Sequence, residues 1–371
     1  MAKYWESIYI KLSDSKLYPI YLIFFSLISS LIVYIRFYDN FSVIPRYWDG
    51  PDYLYVAKTL YNIPVHNPFE SYNLTPAYFA CHLPLYPLLI RLFSFLGYPV
   101  SMIFVTLIFS SLCTLAFYYL LKELKCVHNP FFSAFISIFL PARWLIYHSV
   151  GASEPLFIFL AVTSLYFFYK KNYLLAFVLA SLCSVTRITG ILFCLVYFIL
   201  LIDRKDYKWI LGLAIIPLSL FVTFLFYQYQ FGNFFAYFNW NSKLIHTIPG
   251  DVLRIYANAG KAHPADLYLA MYFIFGLGAM LLWEYPVLFA YSVIFFYFNL
   301  FVFHEDLGRY YLGITHFTLI VAYDKLFKTW QFKVIFILFL PFVYLYVWGL
   351  IPTNVMVKEI YEKLLTQIAL P

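Results

Sequence analysis

Asp49 stands between Trp48 and Gly50 in the run Arg46-Tyr47-Trp48-Asp49-Gly50, which follows the first long apolar stretch of the chain. A carboxylate held beside an aromatic ring at a lipid boundary can take a proton from a hydroxyl, the work of a general base. The same residues also read as an Asp-Gly-Pro turn with Trp48 as an interfacial anchor. Asp52 comes three residues later, either as a second acid or as a cap for the helix that begins there. Asp39 reads as a solvated loop residue. Glu154, between Ser153 and Pro155, opens an apolar helix. An acid suits a helix start, yet a charge at membrane depth points to function by default. Arg187, in Thr186-Arg187-Ile188-Thr189-Gly190, interrupts a long apolar region. It either snorkels or pairs with Glu154, or it binds a phosphate through its planar fork of donors. Arg143 is a candidate partner for the same cluster.

A second charged knot is His304-Glu305-Asp306-Leu307-Gly308-Arg309-Tyr310-Tyr311. His304 and its acidic neighbours match no strong metal-binding spacing, so no metal is expected. Arg309 is a further phosphate candidate. His82, His246, His263 and His316 stand singly and read as satisfied loop or core histidines. The segment Phe231-Gly232-Asn233-Phe234-Phe235-Ala236-Tyr237-Phe238 is aromatic and polar at once. It reads as an interfacial belt, or as a surface that touches a lipid tail or stacks on a sugar ring. The five cysteines (81, 113, 126, 183 and 194) are scattered, form no CxxC pair, and read as small core residues.

The elements that must position these residues are set by composition. Of the 371 residues, 64% are hydrophobic and 12% charged, about half the charged share of a soluble domain. That much apolar surface requires lipid as part of the solvent. Apolar runs predict about eleven helices, near 17–35, 98–121, 130–150, 155–169, 173–186, 188–202, 209–227, 267–283, 286–303, 310–323 and 334–351. The first reads as a retained signal anchor. The net charge of +7 is explained by Lys and Arg on short cytoplasmic loops, among them Lys3, Lys11, Lys16, Lys122, Lys125, Lys170, Lys171, Arg204, Lys205, Lys208, Lys325, Lys328 and Lys333. No basic run is long enough for nucleic acid. This orientation places 36–97, 228–266, the loop 303–309 and the tail 352–371 outside the cytoplasm.

The loop 36–97 is too long to be a mere connection. Within it, 52–61 and 84–96 read as short amphipathic helices on the membrane surface. The tail 352–371 also has the spacing of an interfacial helix. Three predicted spans, 155–169, 173–186 and 188–202, are too short for a hydrocarbon core of about 30 Å. Their outer tips, carrying Ser153-Glu154 and Arg187, are therefore expected to be recessed, leaving a cavity open to the outside.

The order of these pieces resembles one family. It runs Trp48-Asp49-Gly50 … Tyr53 … Ala57 … Tyr61, then His82-Leu83-Pro84-Leu85-Tyr86-Pro87-Leu88, then Ser153-Glu154-Pro155-Leu156-Phe157. Thr186-Arg187-Ile188-Thr189-Gly190, the Phe231-Gly232-Asn233 loop and Gly308-Arg309-Tyr310-Tyr311 follow. Over about 36–320 this is similar to the GPI mannosyltransferase II (PIG-V-like) branch of the GT-C glycosyltransferases. The sequence departs from that pattern at Asp52 and at His82, where the branch more often carries an aromatic. The resemblance implies an all-α polytopic membrane protein, a GT-C-type bundle of about 11 transmembrane helices with a long first extracytoplasmic loop. It implies an inverting transfer of a sugar, most often mannose, from a polyprenyl-phosphate donor to a lipid-linked or glycan acceptor, without cofactor. The active site would face away from the cytoplasm, at the cell membrane of a prokaryote or the endoplasmic reticulum of a eukaryote. Asp49 would be the catalytic base. Trp48, Asp52, His82, Glu154, Arg187, His304 and Arg309 would bind substrate, with Arg187 and Arg309 on the phosphate and Glu154 orienting Arg187 or binding the sugar. A transporter of a lipid-linked glycan and a non-catalytic assembly subunit are the alternatives; the halves of the chain show no convincing internal repeat of the kind many transporters have.

Overall fold

A computed structural model describes residues 16–369. Lys3 and Lys11, counted above for orientation, lie outside the described residues. The first helix, α1 (Tyr18–Ile35), is followed by a long excursion that contains α2 (Gly50–Thr59) and α3 (Leu85–Leu92). Then come α4 (Tyr98–Leu124), α5 (Pro130–Ile136), α6 (Ala142–Tyr147), α7 (Glu154–Tyr169), α8 (Tyr173–Ser184) and α9 (Phe193–Asp203). The second half holds α10 (Ile215–Phe231), α11 (Ala236–Asn241), α12 (Asp251–Asn258), α13 (Ala262–Leu281) and α14 (Pro286–Asn299). It ends with α15 (Leu307–Tyr310), α16 (Leu312–Thr315), α17 (Asp324–Phe327), α18 (Trp330–Leu350) and α19 (Lys358–Ala369).

Among the described residues the chain is helical with no strand longer than an isolated bridge. Five helical stretches are long and apolar enough to cross a membrane: Tyr18–Ile35, Tyr98–Leu124, Tyr207–Phe231, Ala262–Leu281 and Trp330–Thr353. The protein is accordingly a helical membrane protein, in which every backbone polar group in lipid must be satisfied within its own helix. The helices α7 and α8, with 16 and 12 residues, rise only about 24 and 18 Å at 1.5 Å per residue. Together with α4 and α10 they form a packed row, α4 against α7, α7 against α8, α8 against α10.

Packing between the long helices uses small polar groups. Ser26 and Ser30 of α1 meet the two ring nitrogens of His148 at 3.1 and 3.0 Å, and Ser30 also meets Ser149 at 2.9 Å. Short hydroxyls let backbones approach while keeping a buried imidazole paired. Further along α1, Trp348 of α18 donates to the Val33 carbonyl at 3.2 Å. Gly278 in α13 is a still closer approach. A Cβ there would fall 1.9 Å from the Thr318 carbonyl oxygen in the π-helical segment His316–Val321.

Several sequence expectations are revised. The run 130–150 is not one helix. It breaks into α5 and α6 around Pro141, because proline removes a helical donor and the residue before it disfavours the helical region. The run 310–323 is likewise segmented, and 188–202 opens as a 3₁₀ turn before α9. The stretch 52–61 does not form a surface helix: Gly50 through Ala57 are all buried. What covers it is α19, which turns Tyr361, Leu364 and Ile368 inward and packs on α2, with Tyr55 donating to Gln367 at 3.2 Å.

Filling the Gly278 contact should be costly, since overpacking a tight interface costs about 1–3 kcal/mol or more. Gly278→Val is expected to lower the thermal unfolding midpoint of the purified protein in detergent. Gly349→Ala, at a position with nothing within 4 Å of an added Cβ, should leave it unchanged or slightly raised.

Candidate functional site

The turn that carries Asp49 is pinned by the far end of the chain. Trp48 N–H donates to the Asn354 carbonyl at 3.0 Å, Met356 N–H donates to the Arg46 carbonyl at 2.9 Å, and Tyr47 pairs with Val355 in a short bridge. Trp48 adopts a left-handed backbone with φ 46°, a conformation that an L-residue holds only when its surroundings fix it. Gly50 is required next to it, because a Cβ would lie 2.6 Å from the Pro45 carbonyl oxygen. Pro51 then suits the first turn of α2.

Asp49 is the N-cap residue of α2, yet its side chain makes no capping bond. Its Oδ2 instead meets Arg309 Nη2 at 2.8 Å. Arg309 Nε donates to Glu154 Oε1, and Arg187 Nη1 reaches the same oxygen at 2.7 Å. The order Asp49, Arg309, Glu154, Arg187 alternates in sign, so each charge is flanked by its opposite. The Arg309 side chain is 7% exposed and that of Glu154 3%, whereas those of Asp49 and Arg187 are 25% and 21%. The inner pair is thus dry and the outer pair reaches open space. Arg309 also lies over two aromatic rings, 4.9 Å from the Tyr147 ring centre and 5.9 Å from that of Trp48, an arrangement that favours a cation.

Local structure explains how these side chains arrive together. Arg187 sits in extended backbone where α8 ends and the chain doubles back. That crossing is so tight that a Cβ at Gly190 would lie 2.4 Å from Ser184 N. Tyr53 of α2 donates to Ser153 at 3.0 Å, tying the Asp49 helix to the start of α7. Arg143 pairs with Asp306, which also accepts from Tyr147 at 2.7 Å. Arg143 therefore joins a neighbouring pair rather than the Glu154 cluster, and Asp306 is turned toward it.

The chain encloses a cavity of about 840 Å³. Trp48, Asp49, His82, Arg187, His304 and Arg309 make its polar part; Ile188, Leu192, Leu220, Phe221, Phe224 and Phe234 make an apolar part. Glu154 stands behind the arginines and Asp52 behind Asp49, outside the cavity lining. His304 is part of an aromatic wall. Its ring lies 5.8 Å from Trp48 and 5.2 Å from Tyr310, and its Nδ1 accepts from the Asp306 N–H at 2.9 Å. Metal-ligand proximity occurs elsewhere: potential ligand atoms of Asp49, Asp52 and His82 all lie within 4.8 Å of one another.

Asp52 is not a cap; no capping bond is made at the start of α2. Its Oδ2 is 3.6 Å from His82 Nε2, too long for a hydrogen bond, and its Oδ1 is buried without a partner. Burial, with Asp49 close by, raises its carboxyl well above the usual carboxylate range, and burial pushes the His82 imidazole down to about 4. Both effects disfavour the charged forms, so this contact is not an ordinary ion pair. Cavity residues that sequence reasoning passed over include Tyr78 and Trp240, whereas Phe234, Tyr237 and Phe238 come from the aromatic segment singled out above. In a chain that is 24% aromatic, no single Tyr or Trp stands out.

Comparisons with protein-family models, curated proteins and solved structures find no match to this chain.

Arg309 is the residue on which this arrangement turns. Removing one partner from a buried ion cluster costs about 3–5 kcal/mol, so Arg309→Gln should markedly lower stability measured by thermal or denaturant unfolding in detergent. Arg309→Lys should recover only part of the loss, because an ammonium lacks the fork that points at two carboxylates. A melting point unchanged in Arg309→Gln would contradict the bridging role.

Proposed function

We propose that the protein is an integral-membrane glycosyltransferase of the GT-C type, with Asp49 as general base and a polyprenyl-phosphate sugar as donor. The observation that carries this reading is one cavity that joins a carboxylate and two arginines to an apolar lining. A lipid-linked phosphosugar has the matching parts: an acyl-like tail, a phosphate and a sugar. The lining from Ile188 to Phe234 accommodates isoprenoid units, and Arg187 with Arg309 accommodates the phosphate. Tyr78, Tyr237 and Trp240 offer faces for the sugar ring.

In this mechanism Arg309 occupies Asp49 Oδ2, so Oδ1 receives the proton of the acceptor hydroxyl. The acceptor oxygen attacks the anomeric carbon from the side opposite the phosphate, and configuration inverts. The bond between the anomeric carbon and the phosphate oxygen breaks, and the electron pair leaves with the lipid phosphate. The arginines then face a more negatively charged phosphate than the one they first bound, an interaction stronger in the transition state than in the ground state. Water largely excluded from such a cavity strengthens these contacts.

The same reading takes the chain as a bundle of about eleven crossings, the short α7 and α8 among them, with the loop 36–97 and the cavity on the non-cytoplasmic side. The recessed tips of those helices would bring Glu154 and Arg187 to the depth at which a lipid-borne phosphate sits.

Incubation of the purified protein with isotope-labelled polyprenyl-phosphate mannose and candidate lipid acceptors, followed by mass analysis, tests the activity. Loss of a general base typically costs about 10²–10⁴-fold. Asp49→Asn should therefore lose transfer by at least about 100-fold while keeping its elution profile in detergent. Transfer at the wild-type rate by Asp49→Asn would reject the assignment, and movement of the lipid-linked sugar across vesicles without any covalent product would favour a transporter.

A further inference from the structure

We infer that Asp49, Asp52 and His82 form a binding site for one divalent transition-metal ion such as zinc, manganese or cobalt. Asp49 and Asp52 are three positions apart at the start of α2, which puts both carboxylates on one face of the helix. His82 arrives from the end of the 3₁₀ turn Pro76–Cys81, in extended backbone before Leu83-Pro84. Its carbonyl accepts from the Tyr61 hydroxyl, and its ring lies edge-on to Tyr53 at 4.9 Å and to Tyr78 at 5.8 Å. The imidazole is therefore held from several sides. Asp52 and His82, the two places where the sequence departs from the pattern it resembles, face each other in the fold.

The geometry is close to that of a bound ion. Ligand atoms at about 2.0–2.2 Å from a tetrahedral metal stand about 3.3–3.6 Å apart. His82 Nε2 and Asp52 Oδ2 are 3.6 Å apart, and all three groups offer atoms within 4.8 Å of one another. A small side-chain rotation of the partly exposed Asp49 closes the set.

A second, independent observation points the same way. Asp52 is 7% exposed and His82 5%, and Asp52 Oδ1 is buried without a hydrogen-bond partner on the same carboxylate whose Oδ2 faces His82 Nε2 at 3.6 Å. Buried polar atoms are normally satisfied, and a cation held between this carboxylate and Nε2 would satisfy it. Arg309, a guanidinium close to this corner, is already engaged by Asp49 and Glu154.

The donor set also narrows the ion. An imidazole nitrogen with two carboxylates suits first-row transition metals, whereas magnesium and calcium prefer all-oxygen sites. Three protein ligands leave a coordination position open. Asp49 and His82 also line the cavity, so that position is reached from it. If the proposed function holds, the open position takes an oxygen of the acceptor or of the phosphate; this last step alone rests on that reading.

The test needs no sugar donor. Full-length protein in detergent is stripped with a chelator, desalted and titrated with Co²⁺, followed by its visible absorption, with Zn²⁺ as competitor. One Co²⁺ per chain, displaced by Zn²⁺ and weakened at least about tenfold by Asp52→Asn and by His82→Gln, is expected. No saturable uptake by the wild type, or uptake equal to wild type in both variants, would overturn the site. If those variants do not fold, His82→Cys keeps a ligand and should show a thiolate-to-cobalt charge-transfer band; its absence in folded protein also overturns the site. Failure of sugar transfer by the metal-loaded protein would count against the proposed function only. Undiminished transfer by metal-free protein that takes up no Co²⁺ would count against the metal site only.

Discussion

A single buried guanidinium, that of Arg309, holds the site together. It is 7% exposed and bonds Asp49 through Nη2 and Glu154 through Nε. A charge so removed from water is costly unless its geometry is nearly ideal and its remaining faces are covered. Both conditions are met by one set of neighbours. The two carboxylates each take a donor nitrogen of the fork, and the guanidinium carbon lies over the Tyr147 and Trp48 rings. These neighbours come from three places: the Trp48-Asp49 turn, Tyr147 of α6 and Glu154 at the start of α7. The interaction therefore fixes the Asp49 turn, the start of α7, the short α6 and α15 relative to one another.

The same constraint explains two unusual local structures. Trp48 must take a left-handed backbone to bring its ring over Arg309 while Asp49 points at the same guanidinium. That conformation is maintained by backbone bonds from Asn354 and Met356. The tail beyond α18 thus acts on the site through its backbone bonds to Arg46 and Trp48, as a strap across Arg46–Gly50. The helix α19 extends the strap by covering α2, whose first turn carries Asp52. A short helix that reads as a surface element is buried because α3 and α4 pack on it and the chain's last described helix returns to cover it.

Legibility in the sequence follows the range of the interactions. The helical membrane character and the approximate ends of α1, α4, α7 and α8 were readable, because they depend on the hydropathy of consecutive residues. Asp49, Glu154, Arg187 and Arg309 were readable as candidates, because a charge in or beside an apolar run is costly and so informative. The Arg187–Glu154 pair was among the readings of those charges and is present; the pairings of Arg309 were not, since Arg309 and Glu154 are 155 positions apart. The break near Pro141 left a local signal, the proline itself, which the surrounding apolar run outweighed. The burial of α2 left none, because it is decided by the distant helices α3, α4 and α19 that pack on it. The Asp52–His82 contact was hidden for the same reason: each residue stands out alone, but only the fold makes them neighbours.

Glu154 shows why two arginines can share one cavity wall at all. Like charges in a medium of low polarity repel strongly, and Arg187 and Arg309 both approach Glu154 Oε1. The carboxylate between them cancels that repulsion, while its Oε2 stays buried without a partner. Glu154 is 3% exposed and lies outside the lining of the large cavity; its charge is matched by the two arginines. Asp49, at 25% exposed, differs in this respect. The two acids hold one guanidinium through different nitrogens, but only Asp49 lines the large cavity. That asymmetry in exposure, rather than any difference in chemical type, singles out Asp49 as the carboxylate able to meet a substrate and Glu154 as the one that keeps the arginines in place for it.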